Sequence, residues 1–291
     1  MHILCSVQSA KVLFVANKDI TMAIIPQNDP IYHILNNKEK VEWPRPYLGL
    51  SMIGESCHRY LQYYHYWAFK VSISTRIDRL FGFGHMMEPQ MITDLSQCGI
   101  FVTGTQTEII ATAGHWKGHC DGIGVSEADM DQKFNVEFKT HNDKNFKTLV
   151  SKGAEAFPKH VHQANSYCGY LDLPYTFYLA YNKNDSKYHY ETIQFDIDMF
   201  KEDKKKEMEV ISSDVLLPRI GNGTAVWHEC KMCDAAIVCF KRKKPPVSCR
   251  TCEKVDVDMG GRWICSLTDL DLTVDRQKEA CDEYELGEMF K

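Results

Sequence analysis

Apolar residues change their period several times along this chain, and each change marks an element. From Arg76 to Cys98, the residues Leu80, Phe83, Met87, Met91 and Leu95 recur three or four apart, the spacing of one buried helix face. Upstream, Ser51 to Tyr60 carries helical signals and runs into an aromatic-rich segment, Tyr60 to Phe69. The period then shortens. Ile100 to Thr105 and Glu108 to Ala113 read as strands, and Gly118 to Val125 as a strand flanked by glycines. Phe134 to Lys139 alternates polar and apolar, as a half-buried strand does. Lys147 to Gly153 and Pro158 to Leu171 suit helices. Tyr175 to Asn182 and Tyr188 to Phe195 form a strand pair around the turn-like Lys183-Asn184-Asp185-Ser186, and a charged helix spans Asp196 to Ser212. After Gly221-Asn222-Gly223 the chain is cysteine-rich to its end.

This order predicts an α/β core with a small metal-stabilised appendage. Residues 1–45 read as a loosely structured lead-in that ends near Trp43-Pro44-Arg45-Pro46, residues 46–240 as the core, and residues 241–291 as a C-terminal module. The chain has 291 residues, 44% hydrophobic and 25% charged, enough to bury a substantial core. A net charge of -5 argues against a wholly basic coat protein, yet an acidic total can hide a local basic groove. No apolar run is long enough to span a membrane. Met1 to Ile25 is interrupted by Lys11, Lys18 and Asp19, so neither a membrane anchor nor a signal peptide is expected, and the expected setting is the cytoplasm, the host cell's for a phage-encoded protein. Seven of the 12 cysteines lie between Cys230 and Cys281, with C-x-x-C spacing. That pattern suits metal or cluster ligation in a reducing compartment better than a disulfide framework.

The candidate chemistry centres on Asp121, Glu137 and Lys139. Residues i and i+2 of a strand share a face, so Glu137 and Lys139 project together, and Asp121 on a neighbouring strand can join them. Two carboxylates on one spot repel unless a divalent cation lies between them, and Mg²⁺ or Mn²⁺ favours such hard oxygen ligands. The segment Gly118-His119-Cys120-Asp121-Gly122 followed by Val136-Glu137-Phe138-Lys139-Thr140 resembles the PD-(D/E)xK nuclease motif, in particular that of RecB-type and phage-type exonucleases. The resemblance implies a mixed central sheet flanked by helices. It implies Asp121 and Glu137 as metal ligands, with the Phe138 carbonyl adding another, and Lys139 as catalytic. Upstream, Gly82-Phe83-Gly84-His85-Met86-Met87-Glu88 resembles the family's first motif, where either His85 or Glu88 reaches the metal. Downstream, Gln163-Ala164-Asn165-Ser166-Tyr167 resembles the Q-x-x-x-Y motif that positions the scissile strand, with Gln163 and Tyr167 on one helix face.

Two cysteine groups follow. Cys230-x2-Cys233-x5-Cys239 provides three thiolates, and Cys57 stands far upstream as a fourth. That arrangement resembles the iron–sulfur staple of CRISPR-adaptation exonucleases and AddB-type helicase-nucleases, which implies a [4Fe–4S] cluster. Zinc on the same four thiolates is the rival reading, and His228 in place of Cys57 is another. Cys249-x2-Cys252-x12-Cys265-x15-Cys281 has zinc-site spacing, with Trp263 placed to pack the small module around it. Cys5, Cys98, Cys120 and Cys168 read as buried or incidental.

Lys139, Lys144, Lys147 and Lys152 are candidates for a substrate track, as is the basic run Phe240-Lys241-Arg242-Lys243-Lys244. Tyr60, Tyr63, Tyr64 and Trp67 either stack unpaired bases or belong to the core. Taken with the resemblance, the expected activity is a metal-dependent exonuclease on DNA ends, in phage or mobile-element recombination or replication and alongside proteins of those processes. A structure-selective endonuclease and a non-catalytic DNA-binding module are the alternatives.

Overall fold

A computed structural model describes residues 28–291. Cys5 and the stretch Met1 to Ile25 lie outside the described residues. The rest of the lead-in is not featureless. It holds α1 (Pro30–Asn36), capped by the Asp29 carboxylate, which accepts from the Ile31 N–H at 2.7 Å. It also holds β1 (Glu39–Glu42). Next come β2 (Leu48–Gly49), α2 (His58–His65) and β3 (Val71–Ser74), which pairs antiparallel with β1. Tyr63, Tyr64 and Trp67 are buried. The two tyrosines pack with Leu48 and Trp116 and with Val210 and Ile211 of a later helix, and Tyr60 packs against that cluster. Tyr63, Tyr64 and Trp67 are therefore core, and Tyr60 is partly buried against it; burying such rings is worth more than exposing them.

The long helix α3 (Thr75–Gln97) starts where the Ser74 hydroxyl accepts from the Ile77 N–H at 3.3 Å. Strands β4 (Ile100–Thr103) and β5 (Thr107–Ile110) follow. The segment that reads as one glycine-flanked strand is two: β6 (Trp116–Cys120) and β7 (Gly122–Ser126), with Asp121 at the junction. They belong to different sheets. β6 lies between β2 and β5, whereas β7 lies between β4 and β8 (Asp129–His141). Glycine permits the division, because a Cβ at Gly122 would meet Val102 Cγ1 at 2.3 Å. The chain continues through α4 (Asp143–Lys152), α5 (Pro158–Leu171), β9 (Tyr175–Asn182), β10 (Tyr188–Gln194) and α6 (Ile197–Ser212). The main sheet runs β10-β9-β8-β7-β4, with β8 and β9 parallel and the other neighbours antiparallel. It is a mixed sheet flanked by helices, as expected.

The two helix layers lie on opposite faces. Met91 and Leu95 of α3 pack on Phe134, Val136, Phe138 and Leu179. Val161 of α5 packs on Tyr178 and Ala180, whose side chains alternate with Leu179. So β8 is not half-buried. From Phe134 to Phe138 it is buried on both sides, and its polar positions go inside with it. Asn135 is accommodated by donating to the Thr176 hydroxyl at 2.9 Å. Glu137 is the next polar side chain on that face, and it is fully buried.

The tail forms α7 (His228–Lys231), α8 (Ala236–Cys239), the three-stranded sheet β11 (Val255–Val257), β12 (Trp263–Cys265) and β13 (Leu270–Asp271), and α9 (Val274–Gln277). Trp263 packs outward from the tail, with its ring 4.7 Å from His65 and 5.4 Å from Tyr66. Arg250 is buried between Trp67 and Trp263, its guanidinium carbon 3.9 and 4.2 Å from their ring centroids. It donates to the carbonyls of Pro46 and His65 and to Gln277 Oε1. Among the described residues, no helix is long and apolar enough to cross a membrane.

Candidate active site

β8 outruns β7 where Gly122 pairs with Val136, so Glu137 to His141 have β9 on one side and an open edge on the other. Asp121 fills the start of that edge, its Oδ2 accepting from the Phe138 N–H at 2.8 Å. Glu137 and Lys139 project to the α5 face. The Lys139 ammonium contacts Glu137 Oε1 and lies 3.4 Å from Gln163 Oε1. Gln163 Nε2 in turn donates to the Tyr167 hydroxyl at 3.3 Å. Gly118 makes room for that hydroxyl, since a Cβ there would meet Tyr167 Cε1 at 2.8 Å. The fold thus brings Asp121, Glu137, Lys139, Gln163 and Tyr167 together.

Glu88 and His85 reach the site differently. Glu88 is half-buried, and the Asp121 charge acts on it, whereas His85 is 76% exposed and contacts Glu88 Oε1 at 3.2 Å. Burial pushes the Glu137 carboxyl up, and the charges of Asp121 and Glu88 add to that against the pull of Lys139. Burial likewise raises Asp121, opposed by Lys139, the Phe138 N–H and His85. Burial pulls the Lys139 ammonium down, but Glu137 and Asp121 outweigh it, so Lys139 stays charged. Glu137 Oε2 is buried without a hydrogen-bond partner. A bare carboxylate oxygen beside a second carboxylate, with a third on the adjoining helix, is a donor set for a hard divalent cation. Among the described residues, no three His, Cys, Asp or Glu side chains already stand as a closed metal-holding group. The donors are gathered but not drawn in around one point.

The site opens into a cleft of about 510 Å³. Its lining includes His85 and Glu88 of α3, Lys139, and Gln163 of α5. It also includes Lys159, His160 and Lys183, which the sequence reading did not select. His160 was detectable there, because it precedes Gln163 by three positions on the same helix. Lys183 sits in a turn and carries no comparable signal. Of the lysines expected along the substrate track, Lys139 lines this cleft, whereas Lys147 pairs with Asp143 at 2.7 Å on α4.

Behind the cleft, the buried Tyr178 hydroxyl lies 3.1 Å from His141 Nε2 and 2.8 Å from His160 Nδ1. Burial, aided by the Lys139 charge, pushes His141 down to about 4 and His160 down to about 3. Both rings should therefore remain neutral at pH 5.5, which imidazole nitrogen shifts would read directly. In the unfolded chain they take up protons below about 6.5. Their contribution to stability is thus complete above that value and is lost as the pH falls from about 6.5 toward 4 and 3. A normal titration of both rings would contradict this.

The cysteines gather as two groups. Cys57, Cys230, Cys233 and Cys239 line one pocket. Burial raises Cys57, with the Cys239 and Cys230 thiols adding to it, and pushes Cys233 up to about 11. His228 is largely exposed and contacts Glu229; it does not line this pocket. Cys249, Cys252, Cys265 and Cys281 line a second pocket. Cys120 and Cys168 are buried outside both groups, while Cys98 is exposed rather than buried.

The chain matches no protein family and no curated protein. Among solved structures, 18 chains are similar to it. One is the protein SSO0001, with a TM-score of 0.43 and 15% identity over 69% of this chain and 88% of that one. Another is the alkaline exonuclease LHK-Exo from Laribacter hongkongensis, with a TM-score of 0.41 and 15% identity over 57% of this chain and 86% of that one. The same exonuclease in complex with dAMP gives a TM-score of 0.45 and 14% identity over the same shares.

Proposed function

We propose that this chain is a divalent-metal-dependent nuclease that hydrolyses phosphodiester bonds at DNA ends. The observation that carries this reading is the buried Glu137 carboxylate with one bare oxygen, beside Asp121 and in contact with Lys139, which with Glu88 and Gln163 lines an open cleft. Asp121, Glu137 and Glu88 would hold Mg²⁺ or Mn²⁺, with the Phe138 carbonyl at the same edge and His85 behind Glu88. When bound, the ion acidifies water and neutralises charge on the phosphate.

The protein groups divide the remaining work. Asp121 is held against the strand edge by the Phe138 N–H, which donates to its Oδ2 and leaves Oδ1 as the second oxygen to bind the metal. Lys139, kept charged by two carboxylates, stabilises the extra negative charge that develops on the phosphoryl oxygens. Gln163 joins Lys139 to Tyr167 and fixes where the strand lies. Water adds to phosphorus, one phosphorus–oxygen bond to the sugar breaks, and the departing oxygen takes up a proton.

The cysteine groups serve the fold in this reading. Four thiols in one pocket suit a [4Fe–4S] cluster at Cys57, Cys230, Cys233 and Cys239, with zinc as the alternative. The second group suits zinc, which makes residues 241–291 a metal-stabilised module on the core of residues 46–240. A setting in phage or mobile-element DNA recombination rests on the motif resemblance.

End-labelled single- and double-stranded DNA should be degraded with Mg²⁺ or Mn²⁺ and left intact with chelator. Covalently closed circles should survive; their cleavage would make the enzyme an endonuclease. Anaerobically prepared protein should be coloured and contain iron and zinc. Colourless protein with zinc in both groups would remove the cluster.

A further inference from the structure

Lys183 follows the last residue of β9, and its N–H donates to the His141 carbonyl at 2.9 Å, which fixes its backbone beside the end of β8. Its side chain lines the cleft together with Lys139, Thr140 and His160. It enters no ion pair among the described residues, and the charge that acts on it comes from another cation, Arg76 at the start of α3. Lys159 on the same wall differs, because Glu55 already neutralises it at 2.5 Å. His160 turns Nδ1 inward to the buried Tyr178 hydroxyl, which leaves Nε2 as the ring nitrogen for the cleft. The hydroxyl has one proton to give. If His141 Nε2–H donates to the phenol oxygen, the phenol donates to His160 Nδ1, and the His160 proton then resides on Nε2. A cleft lysine that enters no ion pair among the described residues, next to a ring nitrogen backed by a buried network, forms a seat for an anion.

We propose that Lys183 and the Nε2–H of His160 bind the phosphodiester adjacent to the scissile one, so that the cleft takes at least two successive phosphates of a DNA strand. This inference rests on the nuclease reading and adds a second anion site to it. Tyr178 and His141 touch no substrate; they are positioning residues that set the tautomer of His160. Lys183 supplies the charge and His160 the direction. The contact recognises any phosphodiester and carries no base preference.

The test uses labelled oligonucleotides in which one linkage, on either side of the scissile position, is a neutral methylphosphonate. Binding is read by fluorescence anisotropy without divalent cation, which keeps the DNA intact. Neutralising the correct linkage should weaken binding to the native protein about tenfold, the scale of one charge-assisted contact. In Lys183→Ala the all-phosphate strand should already be weaker by about that factor, and the methylphosphonate should cost little more. His160→Ala should show the same lost coupling, and so should Tyr178→Phe to a smaller extent. General damage to the fold would weaken both strands alike and leave the methylphosphonate penalty in place. An undiminished penalty in both Lys183→Ala and His160→Ala overturns the proposal. A native protein that shows this coupling but cleaves no DNA with Mg²⁺ or Mn²⁺ would instead retain the anion seat and overturn the nuclease reading.

Discussion

Glu137→Gln is expected to abolish DNA hydrolysis and yet leave the protein as stable as before, or more so. The loss should be about 10³-fold or greater, because the substitution removes one of the carboxylates that bind and polarise the metal. Lys139→Ala should cost about 10²- to 10³-fold, since it removes charge stabilisation but leaves the donor set. Stability should move the other way, for a reason visible in the burial. Glu137 is fully buried and keeps an oxygen without a partner, an arrangement that disfavours folding when the group is ionised. The sign follows from linkage. Burial holds the folded-state proton affinity of Glu137 above its unfolded value, so the group destabilises the metal-free protein at neutral pH; that penalty begins to shrink as the pH falls through the folded value of about 7 and is gone only below the unfolded carboxyl value. An amide carries no such charge. Thermal unfolding in chelator, beside a nuclease assay on end-labelled DNA, reads both effects. Full activity in Glu137→Gln would end the assignment. Lost activity accompanied by a collapse in stability would make Glu137 a structural residue instead.

Arg250→Ala should destabilise the whole protein by about 3 kcal/mol or more, a fall in the unfolding midpoint of roughly 5 °C or more for a chain of this size. Arg250 is the residue between Cys249 and Thr251 in the second cysteine group, and it leaves that group to enter the core. Burial works against its charge, and among the described residues no carboxylate offsets that. Instead two indole faces hold the guanidinium, and three neutral oxygens on Pro46, His65 and Gln277 accept hydrogen bonds from it. Alanine would leave those acceptors unsatisfied and a cavity between the tryptophans. Lysine should not rescue it, because an ammonium lacks the flat face and the forked donors. Because Arg250 reaches both the segment before β2 and the end of α2, tail and core should unfold in one transition. A loss below about 1 kcal/mol, or a tail that melts separately, would show that the arginine does not couple them.

Local pattern alone determined much of the architecture. The apolar spacing of Met87, Met91 and Leu95 corresponds to α3, Pro158 to Leu171 is α5, and the strand pair around Lys183 to Ser186 is β9 and β10. These elements follow from side-chain period and turn chemistry, which neighbours along the chain suffice to set. The chemical types at Asp121, Glu137 and Lys139, and at the paired cysteines, were legible for the same reason. Other features depended on residues far apart in sequence. Alternation in β8 reads as half-buried, but α3 and α5 cover both of its faces, and that burial is what perturbs Glu137. The single strand around Asp121 is split between two sheets, since only the approach of β4 and of Tyr167 reveals why Gly122 and Gly118 are needed. Tyr63, Tyr64 and Trp67 carry no mark that separates a base-stacking surface from a core; α6, β2 and Arg250 decide it by covering them. Lys183 joins the cleft only because β9 lies parallel to β8 and ends beside it. Burial and electrostatic environment are properties of the assembled layers, so the tertiary structure alone could assign them.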